Sequence, residues 1–257
     1  MTTAPDKGKS FVPPARSNTR RAAPLEIALR QATALELGVP VVMRVNPRAR
    51  RISLRLDSAG RTIALVLPRS TDAEAGLRFL AAQRGWIASR LAALPAAVPF
   101  ADGAIVPLRG EPHRICRALD PAAPAVAIVD REIRVTGEPA YLARRVRDHL
   151  IALARHELSE RARACAARLG RQVGRIGVRD TKSRWGSCSA TGNLSFSWRL
   201  VFAPDAVIDY VVAHEVAHLA EMNHGPRFWR VVASLTPDSV GPRAWLRHHR
   251  LRLLSYG

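Results

Sequence analysis

The sequence predicts an α+β fold: a small β-rich region with one helix, followed by a compact, helix-dominated part. Three observations predict it. Residues 51–56 and 193–200 alternate apolar and polar side chains with the period of a strand. Residues 73–94, 140–169 and those after Pro204 instead repeat apolar residues at helical spacing. The 257 residues are 47% hydrophobic and 24% charged, a globular composition, and no run of about 18 apolar residues marks a membrane span.

Taken in order, residues 1–35 hold Pro13-Pro14, Arg20-Arg21 and scattered small polar residues, and read as a disordered basic tail. Val41, Met43 and Val45 alternate, as do Arg51 to Leu56; Asp57–Gly60 is turn chemistry, and Thr62–Leu67 follows as a second strand of a β-hairpin. Ser70-Thr71-Asp72 can cap a helix over 73–94 that carries Leu77, Leu80, Trp86, Ile87 and Leu91. Short strands are expected at 105–108, 113–117, 125–129 and 133–135. The β-rich region is thus placed at 36–137 and the second domain at 138–257. A long helix over 140–169 has the stripe Leu142, Val146, Leu150, Leu153 and Leu158, and Gly170 ends it. Ile176–Val178 is a short strand, Thr181–Thr191 a loop, and Asn193–Leu200 a strand. Pro204 opens the next helix, with Asp205 in its first turn.

Composition limits the function classes. Cys116, Cys165 and Cys188 are odd in number, widely spaced and without a C-x-x-C, which excludes a disulfide scaffold or zinc ribbon and points to a reducing, cytoplasmic location. Met1–Pro24 has no apolar core of a secretory signal. Forty Lys+Arg against 21 Asp+Glu give a net charge of +19. Such a field suits nucleic acid or acidic partners. Codon bias is the competing account, since only Lys7, Lys9 and Lys182 are lysines and the other cations are arginine.

The chemistry lies in Ala213–Trp229, which reads AHEVAHLAEMNHGPRFW and contains H-E-x-x-H as His214, Glu215 and His218. At this composition, chance supplies that motif about 0.01 times per chain. On a helix, positions i and i+4 share a face, so both imidazoles reach one ion. Glu215 stands about 100° round the helix, able to approach a water on the metal without ligating it. A catalytic zinc takes three protein ligands and keeps a fourth position open. His224 is the leading third ligand. A continuous helix would carry it roughly 9 Å beyond His218, so the chain must turn back, and Asn223, Gly225 and Pro226 supply the turn. Glu221, on the same helical face, and Cys188, in the preceding loop, are its rivals.

The motifs occur in a telling order: Arg184-Trp185-Gly186-Ser187-Cys188, Gly192-Asn193, Trp198-Arg199-Leu200, Tyr210-Val211-Val212, the H-E-x-x-H with Leu219, Asn223-His224 and Phe228-Trp229. In this the chain resembles the YgjP-like metallopeptidase domain, a group akin to SprT-like zinc proteases, over about residues 40–257. Val216 and Ser197 depart from the family's usual Leu and Asn. The resemblance implies a zincin-like domain over 138–257, zinc on His214, His218 and His224, and Glu215 as catalytic acid/base.

The expected activity is therefore zinc-dependent hydrolysis of peptide bonds in a protein or peptide substrate, by a metal-activated water with Glu215 as general base. A second oxyanion donor is expected, and Arg184 and Tyr210 are only weak candidates for it. Strand 193–200 is expected as an exposed edge beside the metal, able to pair with an extended peptide. Two alternatives stay open: a zinc amidohydrolase acting on small acyl groups, favoured by Cys188 as third ligand, and a zinc-stabilised basic module that binds nucleic acid without turnover.

Overall fold

A computed structural model describes residues 37, 39–56, 62–120 and 122–257. The tail expected over 1–35 lies outside the described residues, as does the turn Asp57–Gly60. The α+β class holds: helices alternate with three mixed sheets. The described residues form two compact units, one of 39–56 and 62–90, the other of 91–257. The boundary expected at 137–138 falls inside the second.

In the first unit, β1 (Val41–Val45), β2 (Ser53–Leu56) and β3 (Ile63–Leu67) form a sheet in the order β1-β3-β2. The expected hairpin is the antiparallel pairing of β2 with β3; β1 runs parallel to β3 on its other side. As the central strand, β3 buries Ile63, Leu65 and Leu67 together. The helix expected over 73–94 is two helices, α1 (Ala73–Ala82) and α2 (Arg84–Ala92). The Gln83 N–H is shared between the carbonyls of Phe79 and Leu80, a tightened last turn that ends α1 just before Gly85. Asp72 caps α1, its carboxylate accepting from the Ala75 N–H at 2.6 Å.

The second unit opens on β4 (Ile105–Leu108), β5 (Glu111–Ala118), β6 (Val126–Val129) and β7 (Glu132–Thr136), ordered β4-β5-β7-β6 with β5 and β7 parallel. Its two hairpins turn through Arg109-Gly110 and Asp130-Arg131, all at positive φ, the geometry that matches strand twist in two-residue turns. A 3-10 turn at Pro139–Tyr141 leads into α3 (Leu142–Arg168). Its buried stripe is Leu142, Val146, Leu150, Ala154, Leu158, Ala162 and Cys165; Ala154, not Leu153, takes the fourth place. This stripe packs against β6, β7 and β8 as well as against the helix that follows the third sheet. Gly170, at φ 61°, closes α3, and the Arg171 N–H returns to the Ala166 carbonyl.

The third sheet consists of β8 (Ile176–Arg179), β9 (Gly186–Cys188) and β10 (Leu194–Ser197) in the order β8-β10-β9. Here an expectation fails. The strand after Asn193 is central, parallel to β8 and antiparallel to β9, and is not an edge. The edges are β8 and β9, and β9 is three residues inside what the sequence presents as a loop. The strand also stops at Ser197, because Trp198–Phe202 turn as a 3-10 helix with every residue buried. Three helices complete the unit: α4 (Asp205–Ala217), α5 (Pro226–Leu235) and α6 (Val240–Leu254). Arg199, 5% exposed, ties the 3-10 segment to the end of α6. It donates to the Tyr256 carbonyl at 2.6 Å and to Asp180 at 2.8 Å, so its buried charge is paired. The thiols of Cys116, Cys165 and Cys188 are free. Among the described residues no helix is long and apolar enough to cross a membrane.

Candidate active site

Helix α4 is anchored before it delivers its site residues. Asp205, in the first turn, receives both a bidentate pair from Arg109 at 2.9 and 2.7 Å and a bond from Arg161 of α3; Arg161 also reaches Asp209 at 2.6 Å. The Arg109 hydrogen bond, against the opposing effect of burial and with help from Arg161, holds the Asp205 carboxyl below its usual range. An acid at this end also suits the positive helix terminus. Val207, Ile208, Val211, Val212 and Val216 are buried along α4, which fixes its rotation.

That rotation sends His214 and His218 to one side. The helix ends at Ala217, with His218 as its C-cap. The Leu219, Ala220 and Glu221 N–H groups bond to carbonyls of Val216 and Ala217, and the chain reverses to Gly225, which caps α5 with Pro226 at its first position. The reversal brings His224 back. Its Nε2 lies 3.1 Å from the His214 Nε2, and the ligand atoms of His214, His218 and His224 all lie within 4.8 Å of one another. Among the described residues this is the one group of three or more His, Cys, Asp or Glu side chains so disposed.

The surroundings orient the rings. The His218 Nδ1 sits 3.1 Å from the Glu221 carbonyl; donating a proton there leaves its Nε2 lone pair free, an arrangement typical of metal-ligating histidine. Glu221 thus contributes its backbone and not its carboxylate. Phe228, fully buried, is within 4.6–4.9 Å of all three imidazoles, ring centre to ring centre, and forms their back wall. The Trp229 indole N–H donates to the His224 carbonyl at 3.1 Å. Burial first, then the charges of His218, His224 and Arg243, lower His214 to a pKa of about 4, so its ring is neutral at pH 7. Three converging imidazoles are a donor set for zinc, copper, iron or nickel. Tetrahedral zinc ligands at about 2.0–2.1 Å stand roughly 3.3 Å apart; the His214–His224 pair is at 3.1 Å, and no ligand atoms of the cluster are more than 4.8 Å apart.

Glu215 points elsewhere, as its place on the helix requires. It is 7% exposed and lies against β9, where Gly186 makes room for it. A Cβ on Gly186 would stand 2.5 Å from the Glu215 Cγ and Oε1. Burial, opposed only by the Arg184 charge, raises the Glu215 carboxyl to a pKa of about 7. A cleft of about 360 Å³ opens beside it, with Tyr210, Val211, His214 and Glu215 from α4, Arg184, Trp185 and Gly186 from the chain into β9, and Arg243 and Leu246 from α6.

Of the residues singled out in the sequence, the structure brings together His214, His218 and His224, with Glu215 alongside. Cys188 stays apart on β9, its thiol raised by burial and by Glu215 and directed at the Ser189 carbonyl. Ser197 is fully buried and makes no surface for a substrate. His248 and His249 lie on α6, where His249 stacks on Trp245 at 4.1 Å. Arg184 and Tyr210 both line the cleft. The structure adds Arg243 and Leu246 to the cleft and gives Gly186 its role beside Glu215. The R-W-G-S-C motif holds the glycine in plain sight, but only the packing of β9 on α4 shows what its missing side chain permits.

The model of the YgjP-like metallopeptidase domain matches residues 50–249. No curated protein and no solved structure matches the chain. The family match spans most of the sequence, including both sheets of the second unit and the three clustered histidines, and the chain belongs to the YgjP-like metallopeptidase domain family.

Proposed function

On the premise of that membership, we propose that the chain hydrolyses peptide bonds with a zinc ion held by His214, His218 and His224 and with Glu215 as general base. The observation that carries the reading is the convergence of three imidazole nitrogens, one of which, on His214, shares a cleft with the buried carboxylate of Glu215. When bound, the ion supplies Lewis-acid chemistry, activating water and polarising the scissile carbonyl. Glu215 accepts the proton of the attacking water and returns it to the leaving amine nitrogen. The Tyr210 hydroxyl and the Arg184 guanidinium stand in the same cleft as donors for the carbonyl oxygen as it gains charge.

A peptide also finds a backbone to pair with. Trp185 accepts from Ser197, Ser187 pairs with Ser195, and Ser189 donates to Asn193, all toward β10. By strand alternation the backbone groups of Gly186 and Cys188 face away from β10, along the free edge of the sheet. An extended chain added there would be bound without its side chains being read. This edge takes the role the sequence assigned to β10. The amidohydrolase alternative drew on Cys188 as a ligand, and Cys188 lies outside the histidine cluster. A module without turnover would not need Glu215 buried beside that cluster.

The test is Glu215→Gln, which keeps the shape and removes the proton acceptor. It should retain zinc and fold while hydrolysis of casein or a fluorogenic peptide falls by about 10²–10⁴-fold. Retained activity would assign the base elsewhere. Lost zinc would make Glu215 a ligand.

A further inference from the structure

We infer that Arg243, on the part of the cleft lining contributed by α6, forms a carboxylate-recognition subsite that makes this enzyme prefer substrates carrying an acidic side chain or a free C-terminal carboxylate next to the scissile bond. The inference rests on the peptidase reading above and names its substrate class.

The argument starts from where the charges are and how they are held. The cleft lining has one acid, the buried Glu215, and two arginines, Arg184 on the chain entering β9 and Arg243 on α6. Both side chains are exposed, and neither has an ion-pair partner among the described residues. Arg109, Arg134, Arg161 and Arg199 are each engaged by a carboxylate of the chain itself, whereas Arg243 lines the cleft and packs on an aromatic ring instead.

Arg243 is also held in place. Its guanidinium carbon lies 5.0 Å from the centre of the Trp229 ring. Trp229 in turn is fixed by its N–H bond to the His224 carbonyl. A guanidinium packed against an indole uses its apolar face and keeps its N–H edge for a planar, bidentate acceptor, for which a carboxylate is the matching shape. Less ordering entropy is then lost on binding than for a free arginine. The ordered cation sits one residue contact away from the histidine cluster, so a carboxylate bound there belongs to the residue next to the reacting bond.

The experiment uses the full zinc-loaded chain and one capped fluorogenic peptide frame. The position beside the scissile bond is varied as Glu, Gln and Lys, and a Gln peptide with a free C-terminus separates a terminal carboxylate from a side-chain one. Binding of fluorescein-labelled versions to the Glu215→Gln variant is read by polarisation, independently of turnover. Wild type should favour Glu, or the free C-terminus, over Gln by about tenfold or more in kcat/KM and in affinity, as expected for a charge-assisted pair. Arg243→Ala should bring that ratio near one, Arg243→Lys should restore part of it, and Arg171→Ala, an equal loss of charge outside the cleft, should leave it unchanged. Equal handling of Glu and Gln by wild type, or an Arg171→Ala effect as large as that of Arg243→Ala, overturns the subsite. Acid-selective binding with no cleavage of any peptide would keep the subsite and defeat the peptidase reading.

Discussion

Replacing Gly186 by alanine puts one methyl group where the structure has no room for it. The added Cβ would stand 2.5 Å from the Cγ and Oε1 of Glu215 and 2.7 Å from its Cδ, against the 3.4 Å at which ordinary contact begins. Something must give by about 3.4 − 2.5 = 0.9 Å. The strand is restrained, since Trp185 and Ser187 are bonded to β10 on either side of the glycine. Helix α4 is restrained by Val211, Val212 and Val216 in the core. The Glu215 side chain is the part free to swing. A misplacement of about 1 Å in a catalytic group costs on the order of 10²-fold in rate, or about 2.7 kcal/mol in the barrier. Gly186→Ala should therefore lose about two orders of magnitude in kcat/KM on a fluorogenic peptide. Overpacking should cost about 1–3 kcal/mol of stability, seen as a lower Tm. Zinc content should be unchanged, because the three histidines are not displaced. Gly177→Ala is the matched control: it lies in the same sheet, its nearest neighbour would be the Leu194 carbonyl at 4.0 Å, and it should retain full activity. Near-normal turnover by Gly186→Ala would refute the reasoning, and so would loss of zinc in step with loss of activity.

Two further outcomes follow from the same geometry. His224→Ala should lower zinc affinity by more than the roughly 10–100-fold typical of a ligand's supporting groups, read by chelator competition, with far-UV circular dichroism retained; unaltered affinity would remove His224 from the ligand set. Asp205 carries a depressed pKa, so its contribution to stability is complete above its unfolded value of about 3.9 and fades as pH falls through the folded value. Asp205→Asn, at a partly exposed pair, should cost about 1 kcal/mol at pH 7, and the difference from wild type in urea midpoint should shrink below about pH 4; a constant difference down to pH 3 would refute the linkage.

The long amphipathic elements and the local site were legible in the sequence. Helix α3 announced itself through Leu142, Val146, Leu150 and Leu158, and the return of His224 followed from a +10 spacing with a turn at Asn223–Pro226. Both depend on contacts made within a short stretch of chain. What escaped depends on distant partners. β9 is Gly-Ser-Cys, three small residues with no alternation and little strand propensity, and only its pairing with β10 makes it a strand. Trp198–Phe202 keeps a strand-like pattern but is buried on every side, where period carries no information about backbone shape. Placing β10 at the edge was an error of the same kind, since order within a sheet is not encoded in any one strand. Arg243 is one of many arginines in an Arg-rich helix, and nothing nearby distinguishes it from Arg247 or Arg250.

The three clustered imidazoles come from one short stretch of chain, 214 to 224, whereas Glu215 owes its position to Gly186 on another strand. Closing so short a loop costs little entropy, so a chain that has lost its tertiary packing could still chelate. Metal that binds the unfolded chain as well as the native one stabilises the fold less than its affinity suggests. The two halves of the site would then fail at different stresses: partial opening between β9 and α4 would abolish the proton acceptor's alignment while the ion stays in place. For this architecture metal occupancy reports on the helix–turn segment, and only turnover reports on the sheet.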